Sequence, residues 1–240
     1  GLVQRGHQVT IVTLDFTGDD TSDGVIRLFC PLRFRYRGNW IAVPFFVNRQ
    51  LRKIFEREKP DIVHVHHPFL LGLAAVRIAT QRNIPTFFTY HSQYGSYVLH
   101  YVPVLKQLVR WIVEWRVHRF CAQVDMIIAP TESVRSFLVV QDCRTPIKVI
   151  PTGILPLFEN QELPKKYYDG YYELLTVSRF VTEKNITFLL DVMTLLDEKF
   201  RLTLIGFGSQ YDYLRWYAFE KCKLSTEQVC FVEKPSKLVI

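Results

Sequence analysis

Residues 173–185 read ELLTVSRFVTEKN, which is a strand, a polar turn and the start of a helix in succession. The short aliphatic run at 174–177 is typical of a strand that is buried on both faces. Residues 178–185 are mostly polar, and residues 186–196 then carry apolar side chains at helical spacing. A strand–turn–helix unit of this kind predicts an α/β fold.

The turn sets two cations, Arg179 and Lys184, beside the N-terminus of that helix. The first N–H groups of a helix lack partners and carry the positive end of the helix dipole, so this position favours an anion. A guanidinium binds two phosphate oxygens and an ammonium adds a compact charge, which together suit a diphosphate. The alternative is an exposed turn with Lys184 paired to Glu183, and the spacing alone leaves both interpretations open.

The residues of this stretch also carry a family resemblance. The pattern S-R-F-x-x-E-K-N, followed by ITFLLDVM, resembles the donor-site signature of the retaining glycosyltransferases of family 4. The resemblance implies the GT-B fold, in which two Rossmann-like domains with parallel sheets face each other across a cleft. It also implies that Arg179 and Lys184 are catalytic, because they bind the pyrophosphate of a nucleotide sugar and stabilise the departing phosphate.

The composition is that of a globular chain, with 240 residues of which 48% are hydrophobic. Its five cysteines form no C-x-x-C pair, which favours reduced thiols and a cytoplasmic setting. No run approaches the roughly 20 apolar residues of a membrane span, and no signal-peptide pattern is present. We therefore expect a cytoplasmic protein that meets the inner face of a membrane only at its surface.

Positive charge is concentrated in the first part of the chain. Residues 1–155 hold 19 Lys and Arg against 11 Asp and Glu, a net charge of +8, and the remainder carries −1. This asymmetry implies different partners for the two parts. Because zinc-ligand spacing, an RNA-recognition signature and a clear helix-turn-helix are all missing from the sequence, we expect no nucleic-acid partner. An anionic membrane surface fits the charge better.

Predicted strands and helices alternate from end to end, which predicts parallel sheets with right-handed crossovers. Strands are predicted at 8–13, 24–30, 61–66, 85–90, 125–129, 147–150, 172–177, 201–205 and 229–232. Helices are predicted at 45–59, 69–81, 103–123, 131–140 and 186–196. We expect an N-terminal acceptor-side Rossmann-like domain (1–153) without its first strand, a linker (154–170) and part of a C-terminal nucleotide-sugar-binding domain (171–240).

Ligands of open α/β sheets bind at the C-terminal ends of the strands. His66 and His67 follow one predicted strand, where the family has D-x-x-H-x-H, although a strand-end histidine is as readily a structural residue. His91 follows the next strand, and the resemblance implies a catalytic histidine there that touches the donor sugar. Gly153 belongs to I-P-T-G-I, which resembles the family's I-P-N-G-V hinge beside the donor.

Gly206 and Gly208 follow the strand at 201–205. Tyr211 stands where the third glycine of a dinucleotide fingerprint would be, which argues against NAD. The family has a G-x-G-P loop at this place, so the resemblance implies that both glycines leave backbone room for the nucleotide. Since no D-x-D motif follows a predicted strand, we expect no cofactor and no metal, and we expect a UDP-sugar as the donor substrate.

The loop after His91 indicates the acceptor. H-S-Q-Y-G-S-Y-V-L-H-Y-V-P is similar to a segment of the diacylglycerol glucosyltransferases of family 4, although Gly95 and Ser96 replace the acidic pair of that segment. The aromatic positions that stay in register are Tyr94, Tyr97, His100 and Tyr101.

The helix that follows adds cations and tryptophans, namely Lys106, Arg110, Trp111 and Trp115. Basic and aromatic surfaces suit the interface of an anionic membrane, as does the stretch at 33–52. The alternative is that both tryptophans face the sheet and the cations are simply solvated. The helix also has a predicted core face, composed of Leu105, Leu108, Val109 and Ile112.

Three functions remain open. The first is a membrane-surface lipid glycosyltransferase that moves a hexose from a donor such as UDP-glucose to an acceptor such as diacylglycerol. The second is a family-4 enzyme with a soluble or polysaccharide acceptor. The third is a non-catalytic remnant that binds nucleotide or lipid, because the family's E-x(7)-E motif is expected beyond residue 240. For the same reason we expect the 240-residue chain alone to be inactive.

Overall fold

The computed structural model describes residues 1–16, 24–36, 39–91, 93–95, 105–153 and 170–233. The chain forms two compact units. The first comprises Gly1–Phe34 and Ile41–Asn160, and the second comprises Arg35–Trp40 and Gln161–Ile240. Most of the predicted linker lies outside the described residues. Tyr97, His100 and Tyr101 also lie outside them. The predicted domain boundaries therefore stay a prediction.

The first unit is α/β. Its described elements are β1 (Ile11–Leu14), β2 (Val25–Leu28), the first part of β3 (Leu32–Tyr36), the last part of β4 (Asn39–Val43), α1 (Val47–Glu58), β5 (Val63–Val65), α2 (Leu71–Gln81), β6 (Thr86–Thr89), α3 (Lys106–Cys121), β7 (Met126–Ala129), α4 (Glu132–Val140) and β8 (Ile147–Val149). The strands β5-β6-β7-β8 form one parallel sheet in that order, and β1 pairs in parallel with β2. The predicted alternation and parallel pairing are confirmed.

β6 lies between β5 and β7 in the four-stranded sheet, and its side chains contribute to the core. Phe88 is fully buried and meets the ring of Phe120, from α3, edge to face at 5.0 Å between centroids. The carboxylate of Asp125 accepts hydrogen bonds from the N–H and the hydroxyl of Thr86, at 2.7 and 2.8 Å. These bonds fix the start of β6 against the segment that leads into β7, so the C-terminal strand ends are held at a common edge.

The second unit is built on a parallel sheet of order β11-β10-β9. Its described elements are β9 (Tyr172–Val177), a 3₁₀ turn (Thr182–Lys184), α5 (Ile186–Met193), β10 (Phe200–Gly206), α6 (Tyr211–Trp216) with a π-helical turn (Tyr217–Lys221), and β11 (Val229–Glu233). Phe180, Leu190, Leu204 and Leu214 are all fully buried and form the centre of its core.

Two predictions about these elements are wrong, and two strands were not predicted. The strand predicted to be buried on both faces is β9, which lies at the edge of its sheet and leaves Leu175 64% and Val177 55% exposed. The predicted core face of α3 is also wrong, because Leu108 and Ile112 are exposed. The basic, aromatic stretch at 33–52 was not predicted to contain strands, yet β3 and β4 pair within it. The buried residues of α3 are Val117, Phe120 and Cys121.

Within the described ranges, no helix combines the length and the apolar character that crossing a bilayer requires.

Candidate active site

Two histidines meet at the C-terminal ends of β5 and β6. These strands are parallel neighbours, so the residues that follow them emerge at the same edge of the sheet. His66 Nδ1 lies 2.8 Å from His91 Nε2, and the two rings stack with centroids 5.1 Å apart. One nitrogen donates and the other accepts, so the bond couples the tautomer of His91 to that of His66.

A third imidazole, His64, extends this cluster. Its ring centroid lies 4.3 Å from that of His66, and its Nε2 lies 2.7 Å from Thr89 Oγ1. The rings retain solvent contact, but dense packing around His64 and then the positive charges of His66 and His91 lower the pKa of His64 to about 4. Burial and the charge of His91 also lower the pKa of His66. His64 and His66 therefore resist protonation.

His67 follows His66 in the chain and packs against Tyr94. Their rings meet edge to face at 6.2 Å, and Phe69 contacts both. Tyr94 is 9% exposed, and burial raises its pKa to about 12. Tyr94 thus has a packing role in this structure, and its predicted contact with an acceptor stays a prediction.

The outer face of α3 presents apolar and aromatic side chains to solvent. Trp111 is 61% and Trp115 44% exposed, so the alternative that they face the sheet is wrong. Leu105, Leu108 and Ile112 continue the same face, and we call the five residues together the α3 stripe.

Cations flank the α3 stripe. Lys106 is exposed, and the guanidinium of Arg119 lies 5.0 Å from the ring centroid of Trp115. Arg110 donates to Glu114 at 2.8 Å, so part of its charge is neutralised. A cavity of about 620 Å³ opens beside Trp115, between α1, α2 and α3, with an apolar wall and three arginines, Arg77, Arg116 and Arg119.

In the second unit, the segment after β9 packs tightly on the segment after β10. The N–H of Ser178 donates to the carbonyl of Ile205 at 3.0 Å, and that of Phe180 to Phe207 at 2.8 Å. A Cβ on Gly206 would overlap the carbonyl of Ser178, and one on Gly208 would overlap that of Phe180. The two glycines therefore serve the packing of this turn, and their predicted contact with a nucleotide stays a prediction.

Arg179 and Lys184 flank the start of α5. Arg179 pairs with Glu183 at 3.6 Å and its side chain is 43% exposed. The alternative pairing of Lys184 with Glu183 is wrong, since within the described part of the chain the exposed Lys184 enters no ion pair. Asn185, which precedes α5, has φ +47° and makes no capping bond with its side chain. The turn thus presents two accessible cations beside a helix N-terminus.

Gly153 is exposed, and a Cβ there would meet no atom within 4 Å. The structure thus brings together His66 with His91 in the first unit, and Arg179, Lys184, Gly206 and Gly208 around one turn in the second. His64 and Thr89 were not singled out from the sequence. The signal was present in D-I-V-H-V-H, because the two histidines two residues apart project from the same face of β5.

A family profile matches the first unit, and a relative aligns with most of the chain. A family profile, Glycosyltransferase Family 4, matches residues 1–156. The chain is 34% identical over 240 aligned residues to the alpha-monoglucosyldiacylglycerol synthase of Streptococcus pneumoniae (strain ATCC BAA-255 / R6). That alignment covers 89% of this chain and 52% of the relative, so the chain spans about half of the relative's length.

Solved structures of low identity share the fold. Sucrose-phosphate synthase from Thermosynechococcus elongatus superposes with a TM-score of 0.69 at 18% identity, covering 98% of this chain and 62% of its own. Anabaena Alr3699/HepE in complex with UDP and glucose gives a TM-score of 0.59 at 13% identity, covering 95% and 70%. With the parallel α/β sheets described above, these likenesses confirm the predicted GT-B fold class.

Proposed function

Because this chain belongs to glycosyltransferase family 4, we propose that it moves a hexose from a nucleotide-diphosphate sugar to a membrane lipid. UDP-glucose is the first candidate donor and diacylglycerol the first candidate acceptor. The identity to a glucosyldiacylglycerol synthase supports the lipid acceptor, and a structural neighbour that binds UDP supports the nucleotide. Retention of the anomeric configuration belongs to the same proposal.

The observation that carries the lipid acceptor is the α3 stripe. Large apolar side chains rarely line up on an exposed helix face of a soluble protein without a partner. Here Trp111 and Trp115 alternate with cations along one helix, which suits the boundary between headgroups and acyl chains. Each cation near an anionic surface contributes about 1 kcal/mol to attraction. We therefore propose that α3 lies on the inner face of the membrane in the cytoplasm.

The donor diphosphate would bind at the turn before α5. Arg179 and Lys184 are both accessible there, and the N–H groups at the start of α5 add the positive end of the helix dipole. Cations and N–H dipoles stabilise negative charge that develops on a leaving diphosphate, and this is the function that a divalent cation performs in other enzymes. A phosphate would compete with Glu183 for the guanidinium of Arg179.

The histidine cluster would orient the sugar. His91 is held through Nε2 by His66, so its other ring nitrogen is left to hydrogen-bond a sugar hydroxyl. A neutral imidazole suits this task, and the lowered pKa values of His64 and His66 favour neutral neighbours around it. The acceptor hydroxyl would then attack on the face from which the diphosphate departs, and the departing phosphate would take its proton.

Co-sedimentation with vesicles tests the lipid side. The wild-type chain should sediment with vesicles that contain phosphatidylglycerol and much less with phosphatidylcholine alone. Trp111→Ala with Trp115→Ala should weaken the binding to anionic vesicles about tenfold or more, because two interfacial aromatic anchors are lost. Trp216→Ala, an exposed tryptophan of the second unit, is the matched control and should leave binding unchanged.

Equal sedimentation of the wild type and the Trp111/Trp115 double variant would overturn the lipid-facing role of α3. The reaction itself is tested by transfer of radiolabel from UDP-glucose to diacylglycerol in the same vesicles, with a protein that contains this chain.

A further inference from the structure

We propose that Cys143 is a peroxide-reactive thiol and that Cys121 resolves its oxidised form, so that the two cysteines form a reversible disulfide. This inference concerns the first unit alone and does not depend on the proposed function. It rests on the contact between the two thiols, on a solvent path to one of them and on the charges around them.

The two cysteines are held against each other by the backbone. Cys121 is the last residue of α3 and is 2% exposed, whereas Cys143 follows α4 and is partly exposed. Both side chains line one small cavity of about 30 Å³, and Cys143 packs against the buried cluster that contains Cys121. The hydroxyl of Thr145 donates to the carbonyl of Cys121 at 2.7 Å, and the N–H of Cys143 donates to the carbonyl of Leu138 at 3.1 Å. These contacts hold the two cysteines as neighbours.

Only one of the two thiols can be reached from solvent. Cys143 lines an open depression of about 380 Å³, together with His118, Asp142, Arg144 and Thr145. A hydroperoxide fits this space. Cys121 does not line the depression, and the cavity of about 30 Å³ that it shares with Cys143 lies beside Tyr90 and Tyr94. A reactive thiol at the surface with a second thiol buried behind it is the arrangement that a resolving cysteine requires.

The surroundings also divide the roles. The hydrogen bond from Cys121 lowers the pKa of Cys143, and the N–H of Thr145 and the charge of His118 add to this against the opposing effect of burial. The pKa of Cys121 is raised by the same hydrogen bond and then by burial. The partly exposed Cys143 is therefore the favoured nucleophile, and the buried Cys121 is the resolving thiol.

The reaction balances with a peroxide as the oxidant. The Cys143 thiolate attacks one peroxide oxygen, the O–O bond breaks, and hydroxide leaves with a sulfenic acid formed on Cys143. Cys121 then attacks the sulfenic sulfur, its proton and the sulfenic OH leave as water, and the S–S bond forms. The two thiols lose two electrons in total, and the peroxide is reduced to water.

Thiol counting on the intact chain tests the inference. After about one equivalent of hydrogen peroxide, alkylation under denaturing conditions should label three cysteines instead of five, and dithiothreitol should restore all five. Peptide mapping should find Cys121 joined to Cys143. Cys230 is exposed and is the internal control, and it should stay fully labelled. Loss of Cys230 labelling first, or any other disulfide, would overturn the inference.

Two variants separate the roles. Cys121→Ser should accumulate a sulfenic acid on Cys143 that dimedone traps, and Cys143→Ser should lose the fast reaction with peroxide. Should the buried Cys121→Ser variant fail to fold, residue-resolved alkylation of the native wild type decides. Cys143 should react with iodoacetamide about tenfold faster than Cys230 at neutral pH, because more of it is thiolate. A rate equal to or below that of Cys230 would contradict the proposal.

Discussion

The strand ends at His91 and at Arg179 carry the two halves of the proposed chemistry, and they are built in opposite ways. His91 is positioned by protein groups, because His66 bonds it and His64 and Thr89 extend the same cluster. Arg179 and Lys184 are exposed, and a single ion pair to Glu183 holds the first of them. The orienting group is thus preorganised, whereas the charge-binding groups obtain their geometry from the ligand that they bind.

The strands that lead to these two sites differ in the same direction. β6 has neighbours on both sides, and its own Phe88 is fully buried. β9 is an edge strand, and Leu175 and Val177 are more than half exposed. Apolar residues therefore form a buried strand, β6, in the first unit and a partly solvent-exposed strand, β9, in the second.

The largest expected effect concerns the exposed cations. Arg179→Ala and Lys184→Ala should each weaken UDP binding about tenfold or more, because each removes a charge-assisted hydrogen bond of about 1.5–3 kcal/mol. The thermal midpoint should stay within experimental error, since both side chains are exposed. Calorimetric titration with UDP provides the measurement.

Lys199→Ala is the matched control, because Lys199 is an exposed cation at the opposite end of the same sheet. It should bind UDP like the wild type. Equal UDP affinity in all three variants would remove the donor site from this turn.

The next largest effect concerns the glycines beneath those cations. Gly208→Ala should destabilise the second unit by about 1–3 kcal/mol, because its Cβ would overlap the carbonyl of Phe180. Gly153→Ala should be close to neutral, since its Cβ would meet no atom within 4 Å. Urea denaturation of the two variants tests this pair, and equal midpoints would show that the turn after β10 is not closely packed.

The smallest effect concerns the preorganised histidines. The pKa of His64 is near its ordinary value of 6.5 in the unfolded chain. In the folded chain its pKa is about 4, mainly because the packed neighbours partly desolvate the ring. The stability that this group contributes is therefore complete above pH 6.5 and declines as the pH falls toward 4. His64→Gln should lose less free energy of unfolding between pH 7 and pH 5 than the wild type. An identical loss in both proteins would show that His64 titrates normally.

Much of this architecture could be predicted from sequence, because the alternation of strands and helices specifies parallel pairing. β3 was not predicted, because its arginines indicated a charged surface. Leu32, Phe34 and Tyr36 nevertheless alternate with arginines at the period of a strand. The exposure of Trp111 and Trp115 was predicted, but Leu108 and Ile112 were assigned to the core, because apolar residues occur all around α3 and only the packing of Val117 and Phe120 selects the buried side.

The candidate site divides in the same way. Arg179 and Lys184 are adjacent in sequence to the helix that they flank, so a local pattern was sufficient to find them. The bond between His66 and His91 joins residues that are 25 positions apart, and only the neighbouring positions of β5 and β6 create it. The contact between Cys121 and Cys143 likewise depends on the packing of α3 against the segment after α4, which no spacing indicates.

Hydrogen exchange with and without ligand tests the central claim most directly. UDP should slow amide exchange over residues 182–188, which contain the 3₁₀ turn and the start of α5. Uridine, which lacks the diphosphate, should leave these amides unchanged. Protection of the same amides by uridine, or protection by UDP confined to other parts of the chain, would contradict a diphosphate site at Arg179 and Lys184.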